Sequence, residues 1–195
     1  MIRVCDIEKY LFHWAPRELA MDWDNVGLLV GDGAAEVRRV LVALDITEAV
    51  AAEAVSIGAD LIVAHHPLMN CTWHKVQHVT TDDAQGRIIT ALLRNGISAI
   101  CMHTNLDAAE GGGACGDYIS QAVALGCDTF VTSDLSYHEF LDTKALNLID
   151  AGHFPTENVI CPVILERLQA AFPQLTVVQS TVHDREVIQY CIKEK

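Results

Sequence analysis

The stretch Ala59-Asp60-Leu61-Ile62-Val63-Ala64-His65-His66-Pro67-Leu68 decides how the rest of the chain is read. Leu61 to Ala64 is a short apolar run, which predicts a strand buried on both faces. Pro67 cannot donate to a sheet ladder, so the strand stops before it. Successive strand side chains point to opposite faces, so His65 and His66 reach a common point only where the chain turns. Such a turn belongs at the carboxyl edge of a sheet, where open α/β sheets bind ligands. An imidazole pair at that edge is a candidate metal site.

Outward from this stretch the pattern alternates between strand and helix. Residues 37–44 predict a buried strand closed by Asp45-Ile46-Thr47, with Thr47 as N-cap of a helix over 48–57 that Gly58 ends. Strand, helix, strand at this spacing is a right-handed βαβ unit with parallel pairing. Upstream, Ile7, Tyr10, Leu11 and Trp14 at helical spacing predict a helix over 6–19. Asp24 and Asn25 then read as turn formers before an apolar segment. Downstream, 70–83 reads as a polar loop holding Trp73, His74 and His78, followed by a helix over 84–93 and a strand over 97–102. A glycine-rich loop at 110–116, a helix over 117–125 and strands over 127–132 and 146–149 come next. A helix over 155–171 and closing strands over 176–181 and 187–192 complete the chain. The fold class is α/β, with mixed or mostly parallel sheets.

Composition narrows the function. A length of 195 residues allows one large domain or two small ones, and 51% hydrophobic residues can form a full core. The seven cysteines include no Cys-x-x-Cys pair and several lie in apolar runs, which points to a reducing cytoplasm. No apolar run is long enough to span a bilayer, and residues 1–6 do not open like a signal peptide, so no membrane partner is expected. A formal charge of −13 argues against a nucleic-acid partner, which requires a basic footprint. Gly111-Gly112-Gly113 follows a polar turn instead of a strand, so it is not a phosphate-binding fingerprint. The mean hydropathy of +0.23 is high for so charged a chain, and predicts apolar surface covered between subunits.

Four predicted strands each end in a polar burst containing histidine: His65 and His66, His103, His138, and His153. Five of the nine histidines therefore sit at strand ends, where one composite site can form. Two histidines with a carboxylate are a minimal ligand set for Zn, Mn, Fe, Co or Ni. The chain offers His65, His66, His103 and His153 with Asp107 and Glu157. His103/Asp107 and His153/Glu157 are each four residues apart, which puts both members on one face of a helical turn. Four imidazoles and two carboxylates exceed what one tetrahedral ion needs and suit two divalent ions, Zn, Mn, Fe or Ni, sharing bridging carboxylates. Taken singly, Asp107 is an ordinary turn former and Glu157 an acidic residue favoured in a first helical turn. His74, His78 and His183 read as surface or capping histidines. His138, beside Tyr137 and Glu139, fits a supporting role as well as a structural one.

Six motifs then carry a family resemblance: Asp24-Asn25-Val26-Gly27-Leu28, Ala43-Leu44-Asp45-Ile46-Thr47, His65-His66-Pro67-Leu68, His103-Thr104-Asn105-Leu106-Asp107-Ala108-Ala109, Asp134-Leu135-Ser136-Tyr137-His138-Glu139 and Gly152-His153-Phe154-Pro155-Thr156-Glu157. Together they resemble the dinuclear-metal NGG-interacting-factor-like family, the type 2 homologues of GTP cyclohydrolase 1. The resemblance implies His65, His66, His103, Asp107, His153 and Glu157 as ligands of two ions. It also implies two similar α/β domains with the site in the cleft between them, and a homohexamer built from trimers, with a trimer as the second choice. One departure stands out. The family separates the Leu-Asp-Ala-Ala motif from its glycine-rich segment by a sizeable stretch, whereas Glu110-Gly111-Gly112-Gly113-Ala114 runs straight across. Residues 1–109 with 140–195 therefore read as the first domain region and 110–139 as the remnant of a shortened second, unless a segment lies outside the numbering.

Two function classes follow. The first is a metal-dependent hydrolase of a nucleotide-like or phosphorylated small molecule, GTP ring opening being what the family name points to, with Glu157 or His138 as assistants. The second is a non-enzymatic metal-binding, metal-delivery or scaffold protein, which the same ligands would serve.

Overall fold

In the computed structural model, residues 1–69, 79–111 and 115–183 are described, and they divide into two compact units. The first, Met1–Gly111 with Ile160–His183, begins with β1 (Ile2–Arg3), α1 (Val4–Trp14), β2 (Gly27–Val30), β3 (Glu36–Val37) and β4 (Arg39–Ala43). It continues through α2 (Glu48–Ile57), β5 (Leu61–Ala64), α3 (Ala84–Arg94), β6 (Ser98–Cys101) and α4 (Thr104–Glu110). The second unit, which includes Gly112–Val159, holds α5 (Ile119–Ala124), β7 (Thr129–Thr132), α6 (Tyr137–Asp142), β8 (Asn147–Asp150) and α7 (His153–Glu157). The chain then returns to the first unit with α8 (Ile160–Ala171) and β9 (Thr176–Gln179).

The expected βαβ unit is present: β4 and β5 pair in parallel across α2. The sheet of the first unit has the order β2-β6-β5-β4-β9, with all pairings parallel except β2 against β6. Leu61, Ile62, Val63 and Ala64 are each fully buried, as a strand covered on both faces requires. Strand alternation explains how. Leu41, Ala43, Ile62 and Ala64 join one apolar cluster with Val50 and Ala54 of α2 and Ile88, Ile89 and Leu92 of α3. On α8, Cys161, Ile164 and Leu168 are fully buried, and that helix packs against β4 and β9. Thr47 caps α2 by accepting from the Val50 N–H, and Gly58 closes the helix at a φ of 64°, a left-handed conformation that glycine adopts without a Cβ clash.

Some elements differ from expectation at their ends, for physical reasons. The first helix stops at Trp14 and a separate 3-10 turn covers Arg17–Leu19, because Pro16 disfavours a helical Ala15, which is extended at φ −125° and ψ 90°. The strand expected over 37–44 is two strands, β3 and β4, with Arg38 between them. The helix expected over 155–171 is α7 and α8 separated at Asn158 and Val159. Pro162 has no N–H for the Asn158 carbonyl, so an unbroken helix would lose that bond and meet the ring. The expected strand over 187–192 and the loop residues Trp73, His74 and His78 lie outside the described residues.

In the second unit β7 and β8 form a two-stranded parallel sheet, Thr129 opposite Asn147 through Thr132 opposite Asp150. Residues 140–159 group with this unit through that pairing. Among the described residues, no helix is long and apolar enough to cross a membrane.

Candidate metal centre

Register assembles the histidines of the first unit. Ala43 pairs with Ala64 and Ala64 with Cys101, so β4, β5 and β6 end level with one another. The residues that follow, Leu44-Asp45, His65-His66 and Met102-His103, therefore meet at one carboxyl edge. There the chain turns, with the His65 and His66 N–H groups both donating to the Leu44 carbonyl, at 3.2 and 3.0 Å. That turn brings the two rings, which a regular strand would hold apart, to 5.0 Å between centroids. The His103 ring lies 5.3 Å from that of His65 and 5.5 Å from that of His66. One nitrogen from each of the three imidazoles lies within 4.8 Å of the others. A trio grouped in this way could hold one metal ion.

Each imidazole is already committed at Nδ1. The His65 Nδ1–H donates to the Met102 carbonyl at 2.8 Å, that of His66 to Asp45 Oδ1 at 2.7 Å and that of His103 to Asp24 Oδ1 at 2.8 Å. An acceptor at Nδ1 fixes the tautomer and leaves Nε2 as the ligand atom, the outer arrangement found around histidine-bound metals. Asp107, one helical turn beyond His103, sets Oδ1 3.4 Å from His65 Nε2, a separation that two ligands of one ion would show.

The motif from His103 to Asp107 gives every residue a task. Thr104 donates to Asp24 Oδ2 through its N–H at 3.0 Å and its hydroxyl at 2.5 Å. Asn105 is fully buried, accepts from the His103 N–H and donates to the Ala15 carbonyl, which pins this turn to the end of α1. Leu106 is fully buried in the core.

Burial pushes the Asp24 carboxyl up, but hydrogen bonds from His103 and Thr104 outweigh it and hold the group well below the usual carboxylate range. Asp45 behaves likewise: burial raises it, while His66 and His183 lower it to about 2. Both are carboxylates at neutral pH and pure acceptors for the imidazoles. Burial pushes the thiols of Cys101 and Cys161 up, the latter to about 12, and neither belongs to a metal-capable group among the described residues. Histidine and carboxylate donors fit a borderline divalent ion such as Zn, Mn, Fe or Ni.

The second unit carries its own pair. On α7 the His153 Nε2 and Glu157 Oε2 are 2.6 Å apart, the contact that a spacing of four predicts. His153 Nδ1 contacts Asp134 Oδ2 at 2.5 Å, the same anchoring seen in the first unit. Asp134 adopts a φ of 56°, a left-handed conformation that Asp tolerates better than most residues. His138 is exposed on α6 with its ring against Tyr137 and belongs to no metal-capable group among the described residues.

Four residues of this arrangement have no functional reading in the sequence: Asp24, Asp45, Asp134 and His183. A parallel register could have found Asp45, because pairing Ala43 with Ala64 sets Asp45 level with His66. No comparable signal marks Asp24, which meets His103 across 79 residues. His183, read as a surface histidine, places Nε2 2.6 Å from Asp45 Oδ2.

Known proteins agree with this architecture. A GTP cyclohydrolase 1 type 2 homolog from Listeria innocua is 44% identical over 98 residues, half of this chain and 26% of that protein, so the match spans about a quarter of that relative. A relative of the same name from Clostridium perfringens is 27% identical over 243 aligned positions, covering 86% of this chain and 92% of its own. The crystal structure of a Staphylococcus aureus hypothetical protein, SA1388, shares the fold at a TM-score of 0.83 and 23% identity, covering 97% of this chain and 99% of that one. A Bacillus cereus protein related to NIF3 does so at 0.81 and 18%, over the same shares of each chain. The family model for Duf34/NIF3 (NGG1p interacting factor 3) matches residues 2–115 and 111–186, nearly the whole chain, and the chain belongs to that family.

Proposed function

We propose that this chain binds two divalent ions and uses them to hydrolyse a nucleotide-like or phosphorylated small molecule. The observation that carries the reading is the anchoring of His65, His66 and His103 at Nδ1, which is of little use to a surface histidine and is what a metal ligand needs. In this reading His65, His66, His103 and Asp107 are ligands from the first unit, and His153 and Glu157 are ligands from the second. Ions held there would supply Lewis-acid polarisation and an acidified water. The chain's own part is to hold the imidazoles in one tautomer and orientation through the Met102 carbonyl, Asp45, Asp24 and Asp134. The name carried by the relatives makes GTP the first substrate to try.

Two measurements test this. Metal analysis after chelation and re-addition should saturate near two equivalents per chain, and no bound metal under any condition would sink the site. Metal-loaded protein should then turn over at least one member of a panel of nucleotides and phosphate esters, with Glu157→Gln inactive. Two bound ions without turnover on any member would replace the hydrolase with a metal-binding or delivery protein.

We also propose a closed homo-oligomer, a hexamer before a trimer. The second unit leaves Val131, Phe140, Leu141 and Ile149 between 44% and 57% exposed, apolar surface of the kind that association covers. Light scattering that finds only monomer over a wide concentration range would refute this.

A further inference from the structure

We infer that His183 is a positioning residue of the metal centre: it grips the far oxygen of Asp45 so that Asp45 can aim His66. The inference rests on the metal-binding reading above and deepens it.

The three histidine anchors of the first unit are built differently. His65 leans on the Met102 carbonyl, which is rigid because the Met102 N–H is itself bonded to the Ala64 carbonyl at 2.9 Å. His66 and His103 lean on carboxylates, and a carboxylate held at one oxygen can swing, because the χ2 torsion of Asp has a broad minimum. A second hold on the other oxygen fixes its plane. For Asp24 that hold is local and covalently close to the ligand: the Thr104 N–H and hydroxyl take Oδ2 while His103 takes Oδ1. For Asp45 the same division applies, with Oδ1 to His66 and Oδ2 to His183. His183 therefore does for His66 what Thr104 does for His103, but from 138 residues away in sequence relative to Asp45.

The delivery of His183 is itself built. β9 lies beside β4 in parallel register, and the Ser180 N–H continues that ladder to the Val42 carbonyl at 2.7 Å. Beyond it, Glu53 of α2 accepts from the Ser180 hydroxyl at 2.6 Å, the Thr181 hydroxyl at 2.8 Å and the Thr181 N–H at 3.0 Å. These bonds fasten the segment leading to His183 onto the helix that begins just after Asp45. The His183 side chain is only 10% exposed at the end of this path. Since a carboxylate can only accept, the shared proton resides on His183 Nε2.

The test uses Co²⁺ as probe, titrated against a chromophoric competitor into the metal-free chain and four variants. His183→Ala should weaken Co²⁺ binding by about 10- to 100-fold, the usual cost of losing an outer partner, while His183→Gln, which keeps a donor near the Nε2 position, should stay within about threefold of the parent. The double variant Asp45→Ala/His183→Ala should bind no more weakly than Asp45→Ala alone, because the two act through one chain of contacts. Thermal melting of the metal-free proteins separates this from a packing effect, since the Gln variant restores affinity only if the donor matters. Unchanged affinity in His183→Ala overturns the inference, and so does equal loss in the Ala and Gln variants. Should His183→Ala fail to fold, His183→Leu replaces it in the comparison with Gln, with the same two outcomes decisive. A parent chain that binds no Co²⁺ overturns the metal reading itself, whereas a parent that binds with an indifferent His183 overturns this inference alone.

Discussion

His65 and His153 are anchored by the same chemistry in opposite surroundings. His65 is 1% exposed at the edge of a five-stranded sheet, with its Nδ1 on a backbone carbonyl. His153 has a side chain 36% exposed beyond a two-stranded sheet, with its Nδ1 on Asp134, whose own side chain is 53% exposed. The first arrangement is held by the core, because three level strand ends leave the ring nowhere else to go. The second includes a contact to an exposed carboxylate, for which solvent competes. A histidine at a strand end is thus no measure of rigidity. The number of neighbouring strands behind it is.

The largest effect should separate the two sheets. Leu61→Ala in β5 opens a cavity in a fully buried strand and should cost roughly 2–5 kcal/mol. Val131→Ala in β7, at a residue 57% exposed, should change stability by no more than about 0.5 kcal/mol. Denaturant melts that show comparable losses for both would mean that something covers β7, and the contrast between the sheets would fail.

Next in size is a change at a ligand. Asp107→Asn keeps the volume and removes one negative charge from a side chain 3.4 Å from His65 Nε2. Metal occupancy and any hydrolytic activity should fall, while the metal-free protein melts at or slightly above the parent temperature, because charge repulsion in the empty site is relieved. An early melt without metal, together with two bound ions, would make Asp107 structural.

A third comparison sets anchor against anchor. Asp24→Asn and Asp134→Asn each weaken a carboxylate–histidine contact, at side chains 1% and 53% exposed respectively. Asp24→Asn should lower metal affinity by about 10- to 100-fold and Asp134→Asn by less, since water replaces the exposed partner more readily. Equal losses by calorimetric titration would show that exposure does not grade the anchors.

The smallest effect concerns acid. Burial raises the Glu53 carboxyl, but hydrogen bonds from Ser180 and Thr181 outweigh it and place the group below its ordinary value of 4.5. A depressed carboxyl stabilises the fold fully above that ordinary value, and the contribution is lost as pH falls through the lower folded value. Glu53→Gln should therefore flatten the acid limb of a stability–pH curve below 4.5 and leave the limb above neutral pH unchanged. A variant curve parallel to the parent throughout would remove Glu53 from the acid response.

Sequence alone determined the local and the periodic. Apolar runs marked β4, β5 and β6 because a strand covered on both faces needs no polar residues. Thr47 and Gly58 marked the ends of α2 because an N-cap oxygen and a left-handed closure are chemistry internal to the helix. The spacing of four in His153 and Glu157 foretold their contact because helical geometry fixes which residues meet. Even the error at the first helix was local, since Pro16 was present to be read. Tertiary structure decided what depends on strand order and register. That Asp45 faces His66, that Asp24 reaches His103, and that His183 returns from the far end of the chain to Asp45 follow from β4, β5, β6 and β9 ending, and the antiparallel β2 beginning, at one edge. Asp and His are also ordinary turn and surface residues, so nothing in their local sequence distinguishes an anchor from a bystander until the strands are laid side by side.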